Sequence, residues 1–249
     1  MLTELVKSLY DNVVMVEVKL EEVWGNGSGL IIDDETILTC DHVVRRNGKT
    51  PEEILITKEG KLKKASEIMK FDDFHDLALI TNEGLEASSY PPHASYEEVG
   101  LGAECFALGY PIGLSHLTLT KGVISAKGEG LVKQFPFGVI QIDARVNHGN
   151  SGGPVFSDTG SLIGIVSLKY IPFLEKIKTL NEMVENLPVA PHQVHQGDDY
   201  FEVDTGSFYN QVNNSLKMLC KALLDVQVGI AGVVPIGKLD KSRMKSFKQ

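Results

Sequence analysis

Asn147-His148-Gly149-Asn150-Ser151-Gly152-Gly153-Pro154, running into the apolar pair Val155-Phe156, sets a serine on a tight turn at the mouth of a buried run. Glycines on both sides of Ser151 open backbone conformations closed to other residues and let a second chain approach closely. The turn Gly149, Asn150, Ser151 is the candidate oxyanion hole, with the N–H groups of Gly149 and Ser151 converging on the point where a carbonyl oxygen gains charge. A serine hydroxyl is a poor nucleophile at neutral pH. The turn therefore carries chemistry only if a histidine base and an orienting carboxylate stand elsewhere in the chain.

Both have candidates upstream. Gly27-Ser28-Gly29-Leu30-Ile31-Ile32, an acidic turn at Asp33-Asp34-Glu35 and then Ile37-Leu38-Thr39 read as strand, turn, strand, with His42 at the end of the second strand. Asp76 opens the apolar run Leu77-Ala78-Leu79-Ile80, where an unpaired carboxylate is costly and a partner is expected. His75, His93, His116, His192 and His195 read as ordinary surface or packed histidines, and Asp72 and Asp73 as solvated loop charges.

Short apolar runs dominate up to residue 168, punctuated by Asn26-Gly27, Asn47-Gly48 and Asp158-Thr159-Gly160, which is an all-β pattern. With 249 residues and 43% hydrophobic content, the chain can bury a sizeable core. The pattern reads as an antiparallel β-barrel or sandwich, divided into residues 1–92 carrying His42 and Asp76 and residues 93–249 carrying Ser151.

Composition excludes several classes. Cys40, Cys105 and Cys220 are odd in number and form no C-x-x-C pair, so neither a disulfide framework nor a zinc site is expected. No cofactor is expected either, and His192 and His195 lack further ligands near them. Met1 to Lys7 lacks the features of a signal peptide, so the expected location is cytoplasmic. No apolar run reaches the ~18 residues of a membrane helix, and a net charge of −9 disfavours nucleic acid as a direct partner.

Taken together, the segments resemble the trypsin-like serine peptidases, and most closely their HtrA-like branch. The resemblance runs in order through Gly27 to Ile32, Ile37-Leu38-Thr39 with Asp41-His42-Val43-Val44, His75 to Ile80, Gly109-Tyr110-Pro111-Ile112-Gly113-Leu114, Thr120 to Ser125, Gly149 to Pro154 and Leu162 to Ser167, and ends on Gly229 to Ile236. It implies two six-stranded barrels, with His42 as base, Asp76 as its orienter and Ser151 as nucleophile. It also implies that Ser167, Leu168 and Lys169 form the edge strand on which a substrate backbone pairs. Two departures stand out. Asn150 replaces the aspartate by which digestive-type relatives bind a newly cleaved N-terminus, so no such switch is expected, and no peptide-binding PDZ domain is expected after the last strand.

Residues 170–227 interrupt the family pattern. Phe173, Ile177, Leu180, Met183 and Leu187, and again Phe208, Val212, Leu216, Leu219 and Leu223, recur at spacings of three and four and predict two amphipathic helices. A polar, proline-bounded mobile loop is expected over 188–199 between them. The insertion is expected to serve as a lid, an exosite or a docking surface for a regulatory protein partner.

The specificity pocket is read onto Arg145, Val146, Leu168 and Ile230. Val146 and Ile230 would make it aliphatic, whereas Arg145 turned inward beside Lys169 would select an acidic side chain. The aliphatic reading is preferred because a buried arginine without a partner is expensive. The expected activity is that of a serine endopeptidase acting on polypeptides through an acyl-enzyme. The alternative is a proteolytically silent module that holds a peptide or protein on the same fold. An esterase or acyl transferase on another hydrolase fold ranks last, since the turn is G-N-S-G-G and not G-x-S-x-G.

Overall fold

Val14, Val16 and Val18 alternate along strand β1 (Val13–Leu20) and bury one face of it, while Val13 and Met15 bury the start of the other. It turns back into β2 (Val23–Asp33) through Glu21 and Glu22, both at positive φ (49° and 65°). Positive φ at both central residues is what a tight two-residue hairpin of the right twist demands. The computed structural model describes residues 2–45, 48–65, 67–70, 75–81, 84–87, 90–129, 138–167, 179–180, 182–184, 193–196, 199–202, 210–219 and 230–236.

From this hairpin an antiparallel sheet of seven strands extends both ways. On one side lie β4 (Glu53–Lys58) and β5 (Lys61–Lys64), and on the other β3 (Thr36–Thr39), β7 (Ala78–Thr81) and β6 (Ile68–Lys70). The expected first barrel is thus, among the described residues, a seven-stranded sheet with rims at β5 and β6. The extra rim strand, β5, exposes all four of its residues, three of them lysine, so it has no apolar face with which to close the sheet.

The second half is a closed barrel of six strands: β8 (Glu104–Gly109), β9 (Thr118–Gly128), β10 (Val139–Asp143), β11 (Pro154–Ser157), β12 (Leu162–Ser167) and β15 (Ile230–Pro235), in the ring order β10-β15-β12-β11-β8-β9. One hydrophobic cluster crosses both halves, from Leu30, Ile31, Leu38 and Leu77 of the sheet to Phe106, Leu108 and Phe156 of the barrel. Phe106 and Phe156 stack tilted at 5.6 Å within it, a geometry worth about 0.5–1.5 kcal/mol beyond area burial.

Two helices flank the sheet. Helix α1 (Leu2–Tyr10) buries Leu9 and packs Leu5 and Val6 on the same cluster. It was not anticipated from sequence, although Leu2, Leu5, Val6 and Leu9 carry a helical spacing. The one-turn helix α2 (Asp41–Val44) follows β3 and carries His42, so this histidine lies one residue into a helix and not on the strand itself.

Residues Ile171–Val226 gather into a compact unit of their own. Within it, residues 179–180, 182–184 and 210–219 are helical. The mobile loop expected over 188–199 is corrected: Gln193–Gln196 (β13) and Asp199–Glu202 (β14) form an antiparallel hairpin with His195 opposite Tyr200. Val194, Tyr200 and Phe201 supply the β-formers there, and the dense polar punctuation around them hid that signal. Most of the remaining helical expectation lies outside the described residues, as does His192 of the expected loop. Among those described, no helix is long and apolar enough to cross a membrane.

Candidate active site

The carboxylate of Asp76 is firmly anchored at the end of the sheet. Its side chain is 1% exposed, just before β7, and three donors converge on it. The backbone N–H of His42 donates to Oδ1 at 3.1 Å, the imidazole Nδ1 of His42 lies 2.5 Å from Oδ2, and the Ser167 hydroxyl donates to Oδ2 at 2.7 Å. The Asp41 N–H meets the Asp76 carbonyl at 3.2 Å, fixing helix α2 to the residue that orients it. An accepting carboxylate holds the imidazole proton on Nδ1 and leaves Nε2 with its lone pair. The His42 side chain is 32% exposed, so the ring reaches solvent while its anchor does not.

Ser151 comes from the other half. It is buried, on the turn between β10 and β11, and its carbonyl accepts the Ser28 N–H at 2.8 Å. Gly27, next to Ser28 on β2, is faced at once by the Val43 methyls and by the Ser151 carbonyl oxygen, which leaves no room for a side chain. The residue after His42 and the turn bearing Ser151 therefore meet on one glycine. Gly152 and Gly153 complete the seam, exchanging hydrogen bonds of 2.9 Å with Val166 of β12, next to Ser167.

The amide geometry of the turn separates the three expected oxyanion residues. The Asn150 N–H closes the turn onto the Asn147 carbonyl at 2.9 Å, so the amide of Asn150 is spent internally and that part of the expectation is corrected. The His148 carbonyl accepts the Ile112 N–H at 2.6 Å. Because the peptide unit is planar and trans, the Gly149 N–H points the opposite way. Gly149 has φ 97°, and a side chain there would run into the Tyr110 carbonyl.

Ser28 is a neighbour of the turn that sequence reading missed. Its hydroxyl donates to the Gly149 carbonyl at 2.7 Å and accepts the Tyr110 N–H at 2.9 Å, bridging both halves beneath the turn. The only hint in the sequence is a serine between two glycines. Ser167 is found at the end of β12, opposite Gly232 of β15. The last register partner of β12 on β11 is Ile165, opposite Pro154, so Ser167 has its strand neighbour on the β15 side.

The specificity residues divide. Val146 is buried and Arg145 is exposed. Ile230 pairs by backbone with Asp143 of β10. Leu168 and Lys169 lie outside the described residues.

A His–Asp pair held by a β-sheet, together with a glycine-flanked serine held by a closed six-stranded barrel, defines the trypsin-like double-barrel class. Comparison with known proteins agrees. Residues 27–165 match the trypsin-like peptidase domain family, and the chain belongs to that family. Over 142 residues it is 34% identical to a probable periplasmic serine endoprotease, DegP-like, of Pseudomonas putida, covering 57% of this chain and 28% of that protein. Over 163 residues it is 34% identical to the chloroplastic protease Do-like 1 of Arabidopsis thaliana, covering 61% and 35%. The chain thus spans about a third of the curated relatives it matches.

Solved structures extend the likeness. The HtrA-type protease AlgW with a tripeptide superposes with TM-score 0.56 at 25% identity over 67% of this chain and 54% of that one. An inactive form of the Rv3671c protease superposes with TM-score 0.58 over 98% of this chain and 93% of that one, at 19% identity, a likeness of fold.

Proposed function

We propose that the chain is a serine endopeptidase that cleaves polypeptides through an acyl-enzyme, with Ser151 as nucleophile, His42 as general base and acid, and Asp76 as its orienter. The observation that carries this reading is the Asp76 carboxylate, held by three donors, two of them from His42, on the sheet that Ser28 and Gly27 stitch to the Ser151 turn. His42 Nε2 takes the Ser151 proton as the oxygen attacks the substrate carbonyl, and returns it to the leaving amine. The N–H groups of Gly149 and Ser151 receive the oxyanion.

The first pocket is aliphatic in this reading. Val146 is buried beside the turn while Arg145 faces solvent, which favours apolar over acidic side chains. Regulatory partner docking on the 170–227 insertion is supported by the apolar exposure of Val212, Leu216, Met218 and Leu219 on the helix over 210–219. A cytoplasmic location is the reading supported by the free thiols of Cys40 and Cys105. The names of the Pseudomonas relatives place those proteins in the periplasm, and fractionation of expressing cells decides between the two.

The testing experiment is labelling with a fluorophosphonate probe, followed by peptide mapping. Modification of Ser151 in the native chain, absent from Ser151→Ala and His42→Ala, is expected. A native chain that binds peptides but never takes the label would instead support the silent binding module.

A further inference from the structure

Cys40 is a thiol beside the site for which the proposed reaction has no use. Its thiol is fully buried, donates to the Val166 carbonyl at 3.2 Å, and stands two residues before His42 at the start of α2. One ligand atom each from Cys40, His42 and Asp76 lie within 4.8 Å of one another.

We infer that Cys40, His42 and Asp76 form an inhibitory site for a thiophilic divalent cation of the zinc class. Thiolate, imidazole and carboxylate are the donors zinc prefers. Tetrahedral coordination at about 2.3 Å to sulfur and about 2.0–2.2 Å to nitrogen and oxygen sets donor–donor edges of roughly 3.3–3.6 Å. The present spread, from 2.5 Å between Nδ1 and Oδ2 to no more than 4.8 Å, brackets that edge. Bringing the donors onto those edges then calls for side-chain adjustment of about an ångström.

Charge also closes. A thiolate and a carboxylate together cancel the two charges of the cation, which makes a buried ion tolerable where a lone charge is not. Burial, and then the neighbouring Asp76 carboxylate, hold the Cys40 thiol protonated well above the usual range. The cation displaces that proton to solvent when it binds. It enters past the part-exposed His42 ring, and the Ser167 hydroxyl, 2.7 Å from Asp76 Oδ2, or a solvent molecule completes the shell.

Binding silences the base by a tautomer change. When the metal takes the Nδ1 lone pair, the imidazole proton moves from Nδ1 to Nε2, the nitrogen that would have accepted the Ser151 proton. The inhibitory effect rests on the endopeptidase reading; the metal binding does not.

Cadmium serves as the spectroscopic probe in a chain carrying Cys105→Ala and Cys220→Ala, where Cys40 is the sole thiol. The expected result is an ultraviolet thiolate-to-cadmium charge-transfer band, lost in Cys40→Ala and in the volume-conserving Cys40→Ser. Zinc is expected to slow peptide hydrolysis reversibly, a chelator restoring the rate. Measured against each variant's own uninhibited rate, apparent zinc affinity should fall in the Cys40 variants by more than the roughly 10- to 100-fold that loss of an outer-shell partner costs. Absence of the band while Cys40 is the sole thiol, or equal zinc inhibition with and without Cys40, overturns the site. Because the band is read without substrate, it stands even in a chain that hydrolyses nothing, so failure of the endopeptidase reading and failure of the metal site are told apart.

Discussion

The side chains that hold the Asp76 carboxylate, Ser167 and His42, can be changed separately. Ser167→Ala takes away the hydroxyl that donates to Oδ2. Loss of a hydrogen bond to a charged group costs about 1.5–3 kcal/mol, so kcat should fall roughly 10- to 100-fold with KM nearly unchanged in steady-state peptide hydrolysis. Asp76→Asn keeps the shape but inverts the tautomer preference, and should lower kcat by about 10⁴-fold. Ser151→Ala and His42→Ala should each remove about 10⁶-fold, with the double variant no worse than either, because nucleophile and base act as one unit. His42, Asp76 and Ser151 were legible in the sequence because each abuts an apolar run that fixes its place. The hydroxyls of Ser28 and Ser167 were not. A serine inside or ending a strand does not disclose which polar group its side chain meets across the fold.

The 3-10 turn Pro111–Gly113 supports the nucleophile turn through its backbone. Ile112 sits at φ 56°, a left-handed conformation that β-branched residues rarely take, and from it the N–H reaches the His148 carbonyl. Its side chain is 67% exposed, so replacing it removes no core packing and any effect must pass through the main chain. Ile112→Pro lacks the N–H and cannot adopt a positive φ. It should free the His148–Gly149 peptide to rotate and cost roughly 10²- to 10³-fold in kcat, the penalty for losing one oxyanion donor. Ile112→Gly keeps the donor and accepts the dihedral, and should preserve kcat. A common loss in both variants, measured with the same chromogenic peptide, would assign Ile112 to general folding instead. The strained isoleucine is not visible in sequence because its conformation depends on the distant His148 carbonyl, whereas the β13–β14 hairpin pairs locally and was hidden by the polar residues around its β-formers. Helix α1 differs: its spacing is readable, but over nine residues it is too short to stand without the core beneath it.

The unit Ile171–Val226 leaves the barrel after β12 and returns before β15, and those two strands are direct partners, Ser167 lying opposite Gly232. A short Gly/Ser linker can therefore replace the unit without stretching either strand. Such a chain should still cleave a small chromogenic peptide while its rate on a folded protein substrate changes; equal responses from both substrates would reduce the unit to padding. The all-β class and the closed second barrel could be read from short apolar runs and their turns, whereas the seven strands of the first sheet could not, since the lysine-rich run Lys61–Lys64 carries no apolar alternation. The place of β15 between β10 and β12 also bears on how the molecule is made. His42, Asp76, Ser151 and Ser167 have all been translated before Ile230–Pro235 is, yet without that strand the barrel has no closed ring to hold the turn of Ser151. Order of synthesis thus acts as a safety catch: the growing chain carries its full set of reactive side chains for some sixty residues before it owns the frame that aims them.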